Sequence, residues 1–411
     1  MSSEDVKAQE EKRQETKSQE TKSQETKFQK ILETSSVGSM PKVTPKVTPE
    51  VTPEVTPEVT PEVTIVVSPR ERFSYARASL DSLYEHTQMP FKLIYVDGNS
   101  PSPEREYIEQ QSSEKGFKLI RRNHYLWPNR ARNIGLAEVD TPYVVFVDND
   151  VVVQPGWLKR LITCAENTGA TVVGPLMCHE EPVHEVVHFA GGESHIVVDV
   201  NSRRHLREKM YLQDKAVKAV LPSLKQCETE LCEFHCMLVR ADVFETLGPF
   251  DESLLNTKEH LDFCMNVMAL GRTVYFEPDS VVTYVPGPTL AWRDLPFYML
   301  RWSHDWELRS LARLQEKWNL AEDGYFKQKY KALGWRRRDT ILKPILNKMG
   351  LTDRRSLPHK LLMYGLLAPT ETMINRIMTR RYARRHLQAP LERPVAVLAD
   401  SPSEQVAALC R

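Results

Sequence analysis

Two carboxylates one residue apart, Asp148 and Asp150, follow directly on the apolar run YVVFV, after which the apolar VVV resumes. Strand alternation sends both side chains to one side. Two hard oxygen donors so placed can hold Mg²⁺ or Mn²⁺, ions that accept a few carboxylate oxygens and fill their other positions with water and phosphate. A second apolar run, FKLIYV, ends on Asp97 and passes into the turn-prone Gly98, Asn99, Ser100 and Pro101. Acids also gather at strand ends for structural reasons, so their surroundings decide. Here Arg130, Arg132 and Asn133 stand on the preceding helix-like stretch NRARNIGLAEV, from which cations and an amide can reach the same phosphate groups.

The elements that must position these groups begin at Val63, where short apolar runs start to alternate with amphipathic stretches. VTIVV, a helix-like span from Tyr75 to His86, FKLIYVD and a further helix make a βαβ rhythm. FKLIRR, YVVFVDND and ATVVGPLM extend it, which predicts an α/β fold on a parallel sheet covered on both faces. Ligands of such sheets bind beyond the carboxyl ends of the strands, where both acidic runs end. A less regular part follows from about His179 to Pro286, and then a Trp-rich helical span from Leu295 to Leu320. Residues 1–62 instead repeat QETKS and then VTPE or VTPK, with almost no large apolar side chain. Such a segment cannot bury a core, and its regularly spaced prolines forbid a regular helix, so a disordered tail is expected. The expected organisation is therefore a repeat-rich tail (1–62), an α/β domain (63–320) and a basic helical extension (321–411).

Bulk charge excludes little. Lys plus Arg and Asp plus Glu both total 55, which argues for no nucleic-acid partner. The start MSSEDVKAQE offers no apolar signal segment, and no stretch approaches the roughly 18 apolar residues of a spanning helix, so a cytoplasmic location is expected. The seven cysteines, odd in number and irregularly spaced, then read as reduced thiols. Cys227, Cys232, Cys236 and His235 lie close enough to suggest zinc but fit no common spacing. His184-Glu185-Val186-Val187-His188 matches the zinc-hydrolase pattern, whose chemistry demands a helix with both imidazoles on one face. Pro182, Gly191-Gly192 and the Val-Val pair favour a strand there instead.

Five blocks in order carry a family resemblance: VTIVVSPRERF, LIYVDGNS, ARNIGLAEVDTPYVVFVDND, QPGWLKRL, and CMLVRADVF through FEPDSVVTY. The span from Val63 to about Tyr284 resembles the inverting family 2 glycosyltransferases of the GT-A fold, a Rossmann-like mixed sheet flanked by helices. The resemblance implies a nucleoside diphosphate sugar as donor and a saccharide or lipid-linked hydroxyl as acceptor. It places Asp97 on the nucleoside, Ser68, Pro69 and Glu71 near the base, Arg132 near the diphosphate, Asp148 near ribose or metal, and Asp150 as principal ligand of Mn²⁺ or Mg²⁺. The family's catalytic base is usually the Asp of a Glu-Asp pair, and this chain has Glu259-His260 followed by Asp262. Glu259 is the first expectation for the base, with His260 and Asp262 as alternates. Many relatives carry a metal-binding histidine where this chain has Tyr284. The altered base position also leaves room for an inactive carbohydrate- or nucleotide-binding protein of the same fold.

Outside the resemblance, Phe326 to Gln388 holds sixteen Lys or Arg against three acids, with Leu361, Leu362, Met363, Leu366 and Leu367 interleaved. That pattern suits a helical surface lying on an anionic membrane, or a plain solvated extension. Trp302 and Trp306 offer either a sugar-stacking platform or a core-packing pair one helical turn apart.

Overall fold

The computed structural model describes residues 63–284 and 290–387, and the tail expected over 1–62 lies outside the described residues. The apolar runs form strands β1 (Val63–Ser68), β2 (Lys92–Gly98), β3 (Lys118–Arg122) and β4 (Tyr143–Asp148). β1 pairs in parallel with β2 on one side and β4 on the other, and β3 extends the parallel run beyond β2. Chain direction thus diverges at β1, and the carboxyl ends of β1, β2 and β4 open one crevice.

Beyond β4 the sheet departs from the parallel run that the apolar strands alone suggest and is mixed, as the family resemblance implies. The next strand in sequence, β5 (Val151–Val153), pairs antiparallel with β12 (Val274–Tyr284), and β6 (Val172–His179) does not join β4. Instead β11 (Cys236–Arg240) enters antiparallel between β4 and β6, while β12 runs parallel to β6 on its far side. The described residues also include β7 (Val187–Phe189) on β6, β10 (Cys227–Thr229) on β12, and a separate hairpin, β8 (Gly192–Val198) with β9 (Arg204–Met210). The strand CMLVR is apolar throughout, so its pattern reveals burial without revealing direction.

Helices cover both faces, as continuous apolar strands require. Against one face pack α1 (Ala76–His86), through Leu80 and Leu83, and α4 (Trp157–Thr168), through Trp157 and Leu161. Against the other lie α3 (Pro128–Leu136), through Ala131, and α5 (Glu259–Ala269), through Phe263 and Val267. The remaining helix of the β2–β3 crossover is α2 (Ser102–Lys115). Helix α3 approaches β1 closely because Gly135 has no side chain: a Cβ there would stand 2.3 Å from Val66 Cγ1. Gly135→Ala is expected to cost about 1–3 kcal/mol by overpacking, read as a lower melting temperature.

The start of α5 is tied down by charge. Lys258 takes a left-handed backbone (φ 72°) and is buried with its Nζ 2.7 and 2.6 Å from the two Glu208 oxygens on β9. Burial pushes Glu208 up, but Lys258 and Lys329 outweigh it and hold the carboxyl at about 2. A folded value below the unfolded one contributes stability above the ordinary carboxylate range, which is lost as pH falls from about 4.5 towards 2. Glu208→Gln, which strands a buried ammonium, should cost about 3–5 kcal/mol at neutral pH, and thermal melts should show that cost shrinking over the same acid window.

Past β12, α6 (Leu295–Arg301) and α7 (His304–Trp318) form the expected Trp-rich span, and the last long helix is α8 (Ala368–His386). Residues beyond 320 pack onto these helices: the fully buried Arg337 pairs with Glu371 at 2.6 Å and reaches the Trp302 carbonyl. Trp302 and Trp306 are both buried, the first donating to Glu71 at 2.9 Å and the second meeting Tyr382 edge-on. Their rings therefore pack the core and offer no open face to a sugar.

Candidate active site

The register pairs Ser68 with Asp148, so the β1 and β4 ends lie side by side, and Ser68 Oγ donates to Asp148 Oδ1 at 3.4 Å. The loop after β1 then folds over β4: the Arg70 amide donates to Asn149 Oδ1 at 2.7 Å and its guanidinium to Asp148 Oδ2 at 2.9 Å. Pro69 lies against Gly98 at the end of β2, where a Cβ would be 3.0 Å from its ring. One residue earlier Asp97 is buried, accepts from the Ser100 amide at 2.9 Å and pairs with Arg121. Burial raises its carboxyl above the ordinary value in spite of those donors.

Six charges, all buried except the nearly covered Arg70, close a ring around this crevice. Asp148 pairs with Arg70 (2.9 Å), Arg70 with Glu71 (3.6 Å), and Glu71 with Arg301 of α6 (2.9 Å). Arg301 reaches Glu259 (3.9 Å), Glu259 reaches Arg132 (3.7 Å), and Arg132 returns to Asp148 (3.4 Å). Three acids and three guanidiniums balance. Burial pushes Asp148 up, but Arg70 and His235 outweigh it and hold this acid well below the carboxylate range.

Asp150 stands outside that ring. It is fully buried and neither carboxylate oxygen has a hydrogen-bond partner among the described residues. Burial, with Asp148 and Glu71 nearby, raises it well above its ordinary value in spite of Arg70 and Arg72. An orphaned buried carboxylate signals a missing positive partner. Oxygens of Asp148 and Asp150 lie within 4.8 Å of one another and of a His235 nitrogen, so this donor set fits a divalent cation.

The three base candidates have different surroundings. Glu259 belongs to the ring, and the Arg132 and Arg301 guanidiniums outweigh burial to lower its carboxyl. Asp262 points elsewhere, accepting from Lys317 Nζ and Trp318 Nε1, both at 2.8 Å, and so fastens α5 to α7. His260 is partly exposed, its Nε2 3.9 Å from Glu233 Oε1, and burial lowers its imidazole below the ordinary value.

Arg70, Arg301, His235, Glu233 and His188 were not singled out for this crevice by their sequence context. His235 arrives because it precedes β11, whose insertion beside β4 puts it opposite Asp148, with Nδ1 3.0 Å from Asp148 Oδ2. Tyr284, where many relatives place a histidine, stacks on the His235 ring at 4.0 Å between centroids. His188 lies on β7 and approaches Glu233 at 2.9 Å, whereas His184, with a left-handed backbone, bonds Thr283 at 2.6 Å. Residues 184–188 are thus not helical, and the zinc-hydrolase arrangement is absent. Cys227, Cys232 and Cys236 enter no metal-capable group among the described residues.

The family model for Glycosyl transferase family 2 matches residues 64–248. The chain is 24% identical over 226 residues to the pre-mycofactocin glycosyltransferase of Mycobacterium tuberculosis, covering 54% of this chain and 42% of that one. It is 27% identical over 215 residues to the O-antigen biosynthesis protein RfbC of Myxococcus xanthus, covering 51% and 16% respectively. The chain therefore spans less than half the length of these curated relatives. A crystal structure of GalNAc-T7 with UDP, GalNAc and Mn²⁺ superposes with TM-score 0.44 and 15% identity over 72% of this chain and 59% of that one. Residues 64–248, somewhat less than half of the chain, are thus similar to glycosyl transferase family 2, and most of the blocks at the strand ends fall within that segment.

Proposed function

We propose that the protein is an inverting, divalent-metal-dependent glycosyltransferase that moves a sugar from a nucleoside diphosphate donor to a hydroxyl acceptor. The observation that carries this reading is the orphaned Asp150 carboxylate beside Asp148 at the end of β4. A bound Mn²⁺ or Mg²⁺ would be held there and would supply charge stabilisation for the departing nucleoside diphosphate. Arg70 and Arg132, already paired with Asp148, are the guanidiniums that can turn to the diphosphate oxygens. Ser68, Pro69, Glu71 and Asp97 line the β1 and β2 ends, where the nucleoside would seat. The name of the O-antigen biosynthesis relative suits a role in surface-polysaccharide or glycoconjugate assembly.

For the base we favour His260. In an inverting transfer the bond from the anomeric carbon to the diphosphate breaks, the acceptor oxygen bonds to that carbon from the opposite face, and the hydroxyl proton goes to the base. Glu259 is ionised and held between two guanidiniums, and Asp262 is saturated by Lys317 and Trp318, whereas His260 is neutral near pH 7 and partly open. Screening nucleoside diphosphate sugars for hydrolysis and transfer with Mn²⁺ tests the activity. A panel that yields neither turnover nor thermal stabilisation would favour the inactive binding-protein reading.

The C-terminal region supports a peripheral membrane contact and, with it, a lipid-linked acceptor. Leu357, Leu361, Tyr364, Leu366, Met373 and Ile377 are exposed among its many arginines and lysines, although no described helix is long and apolar enough to cross a membrane. A shallow groove of about 560 Å³ runs between Tyr364, Ala368, Met373 and Arg376. Apolar side chains set among cations suit an anionic bilayer surface. Sedimentation with anionic vesicles should bring down the full chain and lose it on Leu361→Glu with Leu366→Glu; sedimentation unchanged by that pair would remove the membrane contact.

A further inference from the structure

Beside the Asp148–Asp150 pair lies a second cluster that shares His235 with it and adds Glu233 and His188, which the glycosyl-transfer reading does not use. Glu233 lies among three imidazoles: His188 Nε2 is 2.9 Å and His235 Nε2 3.9 Å from its Oε2, while His260 Nε2 is 3.9 Å from its other oxygen, Oε1. Donor atoms of His188, Glu233 and His235 all lie within 4.8 Å of one another. Three ligands at the usual zinc bond lengths of about 2.0–2.1 Å, tetrahedrally arranged, stand roughly 3.3 Å apart. The distances from Glu233 to His188 and His235 straddle that spacing.

We propose that His188, Glu233 and His235 form a second cation site, adjoining the Asp148–Asp150 centre through His235 and selective for a zinc-class transition-metal ion. Donor chemistry separates the two sites. The first centre is dominated by the two carboxylates of Asp148 and Asp150, which suit Mg²⁺ or Mn²⁺, whereas two imidazoles and a single carboxylate make a set that zinc takes with a fourth position left open. His235 Nδ1 lies 3.0 Å from Asp148 Oδ2 and its Nε2 3.9 Å from Glu233 Oε2, yet neither His235 Nδ1 nor Glu233 Oε2 has a hydrogen-bond partner among the described residues, as ligand atoms awaiting a cation would not. The ring is held flat against Tyr284 at 4.0 Å, so little freedom is lost when a metal binds. Because β7 carries His188 and the segment before β11 carries Glu233 and His235, one ion there would fasten two loops on the acceptor side of the crevice.

The site does not depend on the glycosyl-transfer reading, and the test separates them. Full-length protein stripped with a chelator is titrated with Zn²⁺ against a chromophoric competitor, and with Co²⁺ while its visible absorption is recorded. The wild type and Asp150→Asn are both expected to bind one Zn²⁺ tightly and to give Co²⁺ bands of a nitrogen–oxygen site. His188→Gln and Glu233→Gln should each weaken Zn²⁺ at least about tenfold and bleach those bands. His188 is only partly buried, so His188→Gln carries the test should Glu233→Gln fail to fold. Zn²⁺ affinity unchanged in His188→Gln, or a wild type without a tight Zn²⁺, would overturn the site. Mn²⁺-dependent nucleoside diphosphate binding, measured on the same samples, reports separately on the Asp150 centre.

Discussion

Asp150→Ala should abolish metal-dependent donor turnover, lowering kcat by about 10³-fold or more, while leaving the fold as stable as before or slightly more so. The loss follows from the cation's share of transition-state stabilisation, several kcal/mol at about 1.4 kcal/mol per tenfold. The stability effect follows from the burial of this carboxylate without hydrogen-bond partners, since removing an uncompensated buried acid relieves a desolvation cost. Opposite signs in turnover and melting temperature distinguish a functional carboxylate from a structural one. Full turnover in Asp150→Ala with metal chelated would remove the metal assignment, and a large drop in melting temperature would assign Asp150 to the scaffold.

The second large effect concerns the base. His260→Ala should lower kcat by about 10²–10⁴-fold with donor affinity nearly intact, the range general-base groups contribute. His260→Asp, which restores the acid that the family resemblance leads one to expect, should recover a substantial part of that loss. Glu259→Gln behaves differently in this account: it opens the ring of six charges by leaving Arg132 and Arg301 without their shared partner, so melting temperature and donor binding fall together. A Glu259→Gln protein that binds donor normally yet fails only in transfer would return the base to Glu259. Unchanged transfer in His260→Ala would exclude the imidazole.

Much of the parallel half of the sheet was legible because its strands are local in sequence and each carries a short apolar run. β1, β2, β3 and β4 coincide with the runs VTIVV, FKLIYV, FKLIRR and YVVFV, and the carboxyl ends of β1, β2 and β4 carry Ser68, Asp97 and Asp148 to one edge. The other half was not legible in the same way. β11 comes from nearly ninety residues beyond β4 and is inserted beside it, and no period in the sequence encodes that pairing. The crevice inherits this limit. Asp148, Asp150 and Arg132 are brought together by neighbouring elements, whereas His235 depends on the register of β11, and Arg301 on the docking of α6. Arg70 was hidden for another reason: a charged residue in the loop SPRERF reads as solvated until the loop is seen folded back over Asp148. The Glu259-His260 departure was visible as an oddity. Its physical meaning, an acid committed to two arginines beside a freer imidazole, needed α6 in place.

The most direct test of the central claim is calorimetric titration of the purified chain with a panel of nucleoside diphosphates, with and without Mn²⁺. At least one nucleotide should bind with Mn²⁺ present, lose most of its affinity when the metal is chelated, and fail to bind Asp150→Ala under either condition. Binding equally strong without metal and in Asp150→Ala would contradict a metal–diphosphate centre at the end of β4.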